Sequence, residues 1–228
     1  MQTKLIGIRV ALLALVACAL TPAIAAAANA PDLTFPTGTL LSAGSKFKGT
    51  SVGSSPNFTT TGGETFWGCT KTEVTGTLTK NKGSEIEADI ESFSISGTGL
   101  GGICTGTILP QTDWIFASGT NGLPWCLRST STMKEDEAQI RGGSCTGVSR
   151  PIRIVQITTL EIPLECVYER TAPIAGTYTT DPEDARLTFT GAEWLRTAGG
   201  FACAAAWKLD FNFTLERDEA TASPLYIS

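Results

Sequence analysis

Apolar and polar residues alternate along this chain with a period of two, the pattern of β-strands with one face buried and one wet. The alternation runs without a fault from Trp207 to Glu216. From Leu160 to Tyr168 it recurs with Pro163 on the outward phase, as at a sheet edge or a bulge. Between Ser84 and Ser96 the inward residues are first Ile86, Ala88 and Ile90 and then Phe93 and Ile95. That change of phase predicts a bulge near Glu91-Ser92. Trp125 to Thr132 reads as a further strand, running into the polar turn Lys134-Glu135-Asp136-Glu137. Gly and Thr punctuate the whole chain, and no helical pattern of useful length occurs. The predicted fold is all-β: an antiparallel β-sandwich or partly open barrel.

A faint internal repeat organises these strands. Gly76-Thr77-Leu78-Thr79, a polar turn and a strand from Glu85 lie one hundred positions before Gly176-Thr177-Tyr178-Thr179, a turn at Asp181-Pro182-Glu183-Asp184 and a strand from Arg186. Each copy is a strand, a turn and a returning strand. Cysteines bracket both copies, Cys69 and Cys104 around the first and Cys166 and Cys203 around the second. The repeat therefore favours bridges Cys69–Cys104 and Cys166–Cys203, leaving Cys126 for Cys145, out of the roughly fifteen connectivities that six cysteines allow. Cys166 is in phase with inward-facing Leu160, Ile162 and Leu164, and Cys203 with Trp207 and Leu209, so both thiols are expected to point inward. Two similar units, about 66–104 and 163–203, are too degenerate to stand as separate domains, and 29–228 is read as one.

The first 28 residues have the three parts of a secretory signal peptide: Lys4 and Arg9, an apolar stretch from Val10 to Leu20, and a small-residue tail ending in sites after Ala25 or Ala28. A competing reading takes Leu15-Val16-Ala17-Cys18 as a lipobox that would leave a lipid anchor on Cys18. Either route places the protein in an extracellular or envelope-associated compartment, where disulfides persist. Loss of the signal takes the formal charge from −5 to about −7. An acidic chain with scattered Lys and Arg has no electrostatic footprint for nucleic acid, and no later segment has the length and apolarity of a membrane-spanning helix.

The chain resembles a group of small exported six-cysteine all-β proteins of Gram-positive bacteria that carry no assigned function. The resemblance lies in Cys69 to Thr79, Leu123-Pro124-Trp125-Cys126-Leu127, Glu165-Cys166-Val167-Tyr168 and the terminal Pro224-Leu225-Tyr226-Ile227-Ser228. It implies a secreted β-protein and no particular activity.

The chemistry open to the chain is narrow. It has no histidine, so a Ser-His-Asp or Cys-His arrangement is impossible. Ser131-Thr132-Met133-Lys134 matches the Ser-x-x-Lys of penicillin-binding proteins, but that chemistry needs a helix, and the family's Ser-Asp-Asn and Lys-Thr-Gly motifs do not follow. Glu85, Glu87, Asp89 and Glu91 share one strand face, which reads as a solvated outer face before it reads as a calcium site or as a glycosidase carboxylate pair. Asp181 to Asp184 is a turn without EF-hand spacing, and no close Cys-x-x-Cys pair suits zinc. No metal or other cofactor is expected.

Tryptophan is the remaining handle on function. Trp67, Trp125 and Trp207 sit where an indole packs on a disulfide, whereas Trp114, in a polar loop after Asp113, and Trp194, between Glu193 and Arg196, are candidate exposed platforms for a sugar ring or partner. The leading expectation is a non-catalytic exported domain binding an envelope polysaccharide, peptide or protein through loops at one end. A carboxylate-based hydrolase of extracellular glycans is the alternative, and an outer-membrane-type barrel the third class.

Overall fold

The computed structural model describes residues 33–34, 39–51, 56–60, 65–82, 85–97, 104–106, 113–117, 122–130, 133, 137–158, 164–179, 185–201, 203–218 and 225–227. The signal-peptide segment and Cys18 lie outside these residues, as do the Asp181–Asp184 turn, Ser131, Thr132 and Lys134. Among the described residues there is no helix. Fifteen strands follow one another: β1 (Leu33–Thr34), β2 (Lys46–Thr50), β3 (Asn57–Thr60), β4 (Thr65–Asn81), β5 (Glu85–Gly97), β6 (Cys104–Gly106), β7 (Asp113–Ala117), β8 (Trp125–Thr130), β9 (Glu137–Gly142), β10 (Ile152–Thr158), β11 (Glu165–Arg170), β12 (Ile174–Tyr178), β13 (Ala185–Ala198), β14 (Ala206–Arg217) and β15 (Tyr226–Ile227).

Thirteen of these strands form one antiparallel sheet that closes on itself at two levels. In the lower storey β4, β5, β8, β9, β12, β13, β14 and β2 pair in sequence, and β2 returns to β4, a closed eight-stranded barrel. In the upper storey the circuit is β4, β6, β7, β10, β11, β13, β14 and β3, with β3 again pairing β4. The all-β antiparallel fold that the sequence pattern predicts is present; the predicted sandwich or partly open barrel is matched only in part, because the barrel is closed. Four long strands, β4, β5, β13 and β14, run through both storeys, so among the described residues every short strand of this sheet finds a partner on each side.

The faint sequence repeat is a two-fold pseudo-symmetry of the barrel. In the first unit β2 and β3 flank β4, β4 pairs β5, and β5 pairs β8 below and β7 above. In the second, β9 flanks β12 and β10 flanks β11, both β11 and β12 pair β13, and β13 pairs β14. The units then join twice, β8 to β9 with β7 to β10 on one side, and β14 to β2 and β3 on the other. Both long hairpins bulge where the storeys meet: the β4–β5 register shifts between Thr75 and Gly76, opposite Ile90 and Ser92, and the β13–β14 register shifts between Phe189 and Ala192. The first is the bulge that the phase change near Glu91-Ser92 predicts.

Gly76 and Gly176 hold equivalent places next to these bulges. A Cβ on Gly76 would lie 2.3 Å from the Asp89 carbonyl oxygen and 2.6 Å from the Phe47 ring, and one on Gly176 would lie 2.4 Å from the Phe189 ring and 2.5 Å from the Thr188 carbonyl oxygen. The repeated Gly-Thr is thus where a phenylalanine of the core packs closely against bare backbone.

Inward residues of the lower storey are mostly apolar: Phe47, Leu78, Ile86, Ala88, Leu127, Ala138, Ile140, Ile174, Leu187, Phe189, Phe213 and Leu215 are all buried, and the buried Ser129 hydroxyl donates to the Glu137 carbonyl. Outward positions are wet and charged, as in Glu85, Glu87, Asp89 and Glu91 of β5 and Lys208, Asp210, Asn212, Thr214 and Glu216 of β14. This is the reverse of an outer-membrane barrel, which turns apolar residues to lipid and polar ones to the lumen.

The two ends of the described chain seal the lower barrel. β1 pairs β15, and Leu33, Leu41 and Leu225 are buried beneath the core. The buried Asn81 side chain ties them in: its Oδ1 accepts from the Leu33 N–H at 2.9 Å, and its Nδ2 donates to the Leu33 and Leu41 carbonyls at 2.7 and 2.8 Å.

Disulfides join Cys69 to Cys104, Cys126 to Cys145 and Cys166 to Cys203, the pairing that the repeat favoured. The first and third staple the upper storey, and the second closes the turn after β9 onto the start of β8. Closed loops of 35, 19 and 37 residues correspond to about 3–4 kcal/mol each in the chain-entropy account.

Candidate functional site

The upper storey differs from the lower in what its interior holds. Beyond the bulges, β5 and β13 turn Phe93 and Trp194 inward, where they meet Trp125, Tyr168, Trp207 and Phe58. These rings form a continuous aromatic chain, with centroids 5.0 Å apart for Phe93–Trp125, 6.5 Å for Trp125–Trp194, 6.1 Å for Trp194–Trp207, 4.9 Å for Tyr168–Trp207 and 4.7 Å for Phe58–Trp207. Offset and tilted aromatic contacts of this kind stabilise beyond their buried area.

Into this aromatic interior the barrel brings polar groups that no protein atom satisfies. β10 buries Ile152, Ile154 and Gln156 on one face, and Gln156 stands directly opposite Cys166, two residues before inward-facing Tyr168. The Gln156 side chain is 1% exposed, and neither its Oε1 nor its Nε2 has a hydrogen-bond partner. The same holds for the Trp125 and Trp194 indole N–H groups and for the Thr72 hydroxyl of β4, all three residues buried. A buried polar group without a partner costs about 1–3 kcal/mol. Asn81 marks the contrast, since the same molecule satisfies that buried amide with three hydrogen bonds.

Tyr168 is held neutral. Burial pushes its phenol from 10.0 up to about 12, an effect that the neighbouring Trp207 indole, the charge of Arg196 and the Ala204 backbone only partly offset.

At the upper rim the connection between β13 and β14 is stapled by Cys166–Cys203 and braced by Arg196, whose guanidinium donates to the Gly200 and Cys203 carbonyls at 2.8 and 2.6 Å. Phe201, held on this connection, is fully exposed, and Leu195 of the adjoining strand is more than half exposed.

Of the two tryptophans expected to face solvent, Trp194 is a correction: it is fully buried and stacks against Trp207. The bulge at Thr190-Gly191 restores the inward phase after Phe189, and charged Glu193 and Arg196 lie on the opposite face of the strand from the indole or beyond it. Trp114 lies in strand β7 and not in a loop; its backbone pairs with Cys104 and Thr158. The six cysteines Cys69, Cys104, Cys126, Cys145, Cys166 and Cys203 are all bridged. Cys203 is buried as expected, but in the turn before β14 and not on the strand itself.

The acidic row on β5 is engaged locally. Asp89 accepts from the Cys145 N–H at 2.6 Å, Glu91 from the Thr77 hydroxyl at 2.8 Å, and Glu85 pairs with Lys80. Among the described residues every Asp or Glu side chain with a defined burial is at least partly exposed, and no cluster of His, Cys, Asp or Glu is arranged to hold a metal ion. A buried acid-and-carboxylate pair, which the hydrolase alternative requires, is not found there.

Sequence reading missed Gln156 and Phe201. Gln156 had a usable signal: it is the polar residue on the phase of Ile152 and Ile154. Phe201 had none, because a loop residue between Gly200 and a cysteine belongs to no period. Comparison of the chain with protein-family models, with curated proteins and with solved structures finds no match.

Proposed function

We propose that the protein is an exported, non-catalytic β-barrel that binds a polysaccharide, peptide or protein at or outside the cell envelope through its upper end. The observation that carries this reading is Phe201, a fully exposed aromatic on a disulfide-stapled connection, at the end of the barrel opposite the one sealed by Leu33, Leu41 and Leu225. Three disulfides suit an oxidising compartment, the outward charges of β5 and β14 suit water and not lipid, and the resemblance to exported six-cysteine β-proteins points the same way. A rigid aromatic on a braced loop offers contact area at little entropic cost on binding.

The test is a panel of envelope polysaccharides and peptides screened against the disulfide-intact protein by thermal shift, followed by titration of any binder against Phe201→Ala. The substitution removes an exposed ring and should leave the melting temperature unchanged while weakening binding by about tenfold or more, as for an interface anchor. Binding unaffected by the substitution, or no binder in the panel, would refute the proposal.

A further inference from the structure

The geometry points to a second site inside the barrel: we propose that the upper storey is a chamber for one small flat molecule bearing an amide, lactam or carboxylic acid edge, received by the side chain of Gln156. The inference stands apart from the surface reading, because it concerns a different wall of the molecule and a different class of ligand.

Three observations lead to it. Gln156 is 1% exposed and offers an unmet acceptor and an unmet donor side by side. Only a partner that donates and accepts along one edge satisfies both, which is the pattern of an amide, a lactam or a protonated carboxyl group. The Trp125 and Trp194 N–H groups and the Thr72 hydroxyl add further unmet valences in the same storey. The walls around them are Phe58, Phe93, Trp125, Tyr168, Trp194 and Trp207, whose faces select a flat, apolar body. An eight-stranded barrel is the size at which an interior either fills with side chains or holds one small ligand. The lower storey takes the first course: its filling is almost wholly apolar, and its buried Ser129 and Asn81 side chains have hydrogen-bond partners within the protein; the unpartnered polar groups of the upper storey suit the second.

The pseudo-symmetry strengthens the case. β10 corresponds to β3, and β3 turns the wholly apolar Phe58 into the same space. The amide is therefore an addition made on one side of an otherwise repeated wall.

Benzamide, which joins a flat ring to a primary amide, is the probe. Its titration into the disulfide-intact protein should change the emission of the buried indoles with a stoichiometry of one and raise the melting temperature. Gln156→Leu, of similar volume and apolar, should weaken benzamide binding by at least about tenfold, the worth of one lost polar partner. Phe201→Ala should leave benzamide binding unchanged, so that failure of the surface reading and failure of this one are distinguishable. If Gln156→Leu does not fold, Gln156→Glu serves: it keeps the shape, removes the donor, and should weaken benzamide at neutral pH. The proposal is overturned if millimolar benzamide leaves both emission and melting temperature unchanged, the outcome expected if only water meets these groups. It is equally overturned if a folded Gln156 variant binds benzamide as tightly as the parent.

Discussion

Replacing Asn81 by alanine should destabilise the whole barrel, although the residue lies at its lower end, far from the aromatic interior. Its side chain makes three hydrogen bonds, all to backbone groups of the segment that plugs the lower opening. Truncation strands the buried Leu33 N–H. The Leu33 carbonyl keeps a second donor, the Leu41 N–H at 2.9 Å, so its loss is partial. One orphaned donor and two weakened acceptors together amount to about 2–4 kcal/mol, or a fall of roughly 5–15 °C in melting temperature for a domain of this size. Asn81→Asp sharpens the test. It preserves the acceptor for Leu33 N–H but sets an anion where the amide donated to two carbonyls. It should therefore be at least as damaging as alanine at neutral pH. Burial beside two carbonyls should raise its folded-state pKa above the unfolded value, so the penalty should fade as pH falls toward about 4, where the folded acid has regained a proton to donate, and stay level below that. Urea unfolding followed by indole emission gives both numbers. A loss below about 0.5 kcal/mol for Asn81→Ala, the scale of an ordinary surface substitution, would show that the plug does not depend on this amide.

Two other outcomes follow from the interior. Gly176→Ala places a methyl 2.4 Å from the Phe189 ring and should cost about 1–3 kcal/mol, with Gly76→Ala similar because it occupies the equivalent place; equilibrium unfolding checks both. The Tyr168 phenol loses its proton near pH 10 when unfolded and near 12 when folded, so the folded state holds a proton the unfolded chain has released. Stability should be level below pH 10 and fall between pH 10 and 12, and Tyr168→Phe should remove that slope in alkaline unfolding curves.

Strand content was largely legible in the sequence because period-two alternation is a local signal. β14 and β5 are where the alternation puts them, and the change of phase from Ile90 to Phe93 located a bulge correctly. Closure was not legible. It depends on which strand each edge meets, and the pairs β14–β2 and β7–β10 join residues far apart in the chain whose side chains carry no mark of their partner. The repeat did foretell the bridges, because Cys69 to Cys104 and Cys166 to Cys203 span equivalent hairpins. Trp194 was misread for a physical reason: charged neighbours argue for exposure only if the strand keeps its phase, and the Thr190-Gly191 bulge changes it. Gln156 was readable in principle, but only once the face shared by Ile152 and Ile154 was known to point into a closed space.

Pseudo-symmetry within one chain carries a freedom that true symmetry denies. In a homodimer built from two such units, any residue placed on one wall would appear again on the wall opposite, and a lone amide would be impossible. Joined in a single polypeptide, the halves keep the shared geometry of hairpin, bulge and bare glycine that closes the barrel, while each interior position is set independently. Gln156 facing a phenylalanine-bearing counterpart strand is the visible result: an architecture with two equivalent halves to its ring and an inside that has a direction.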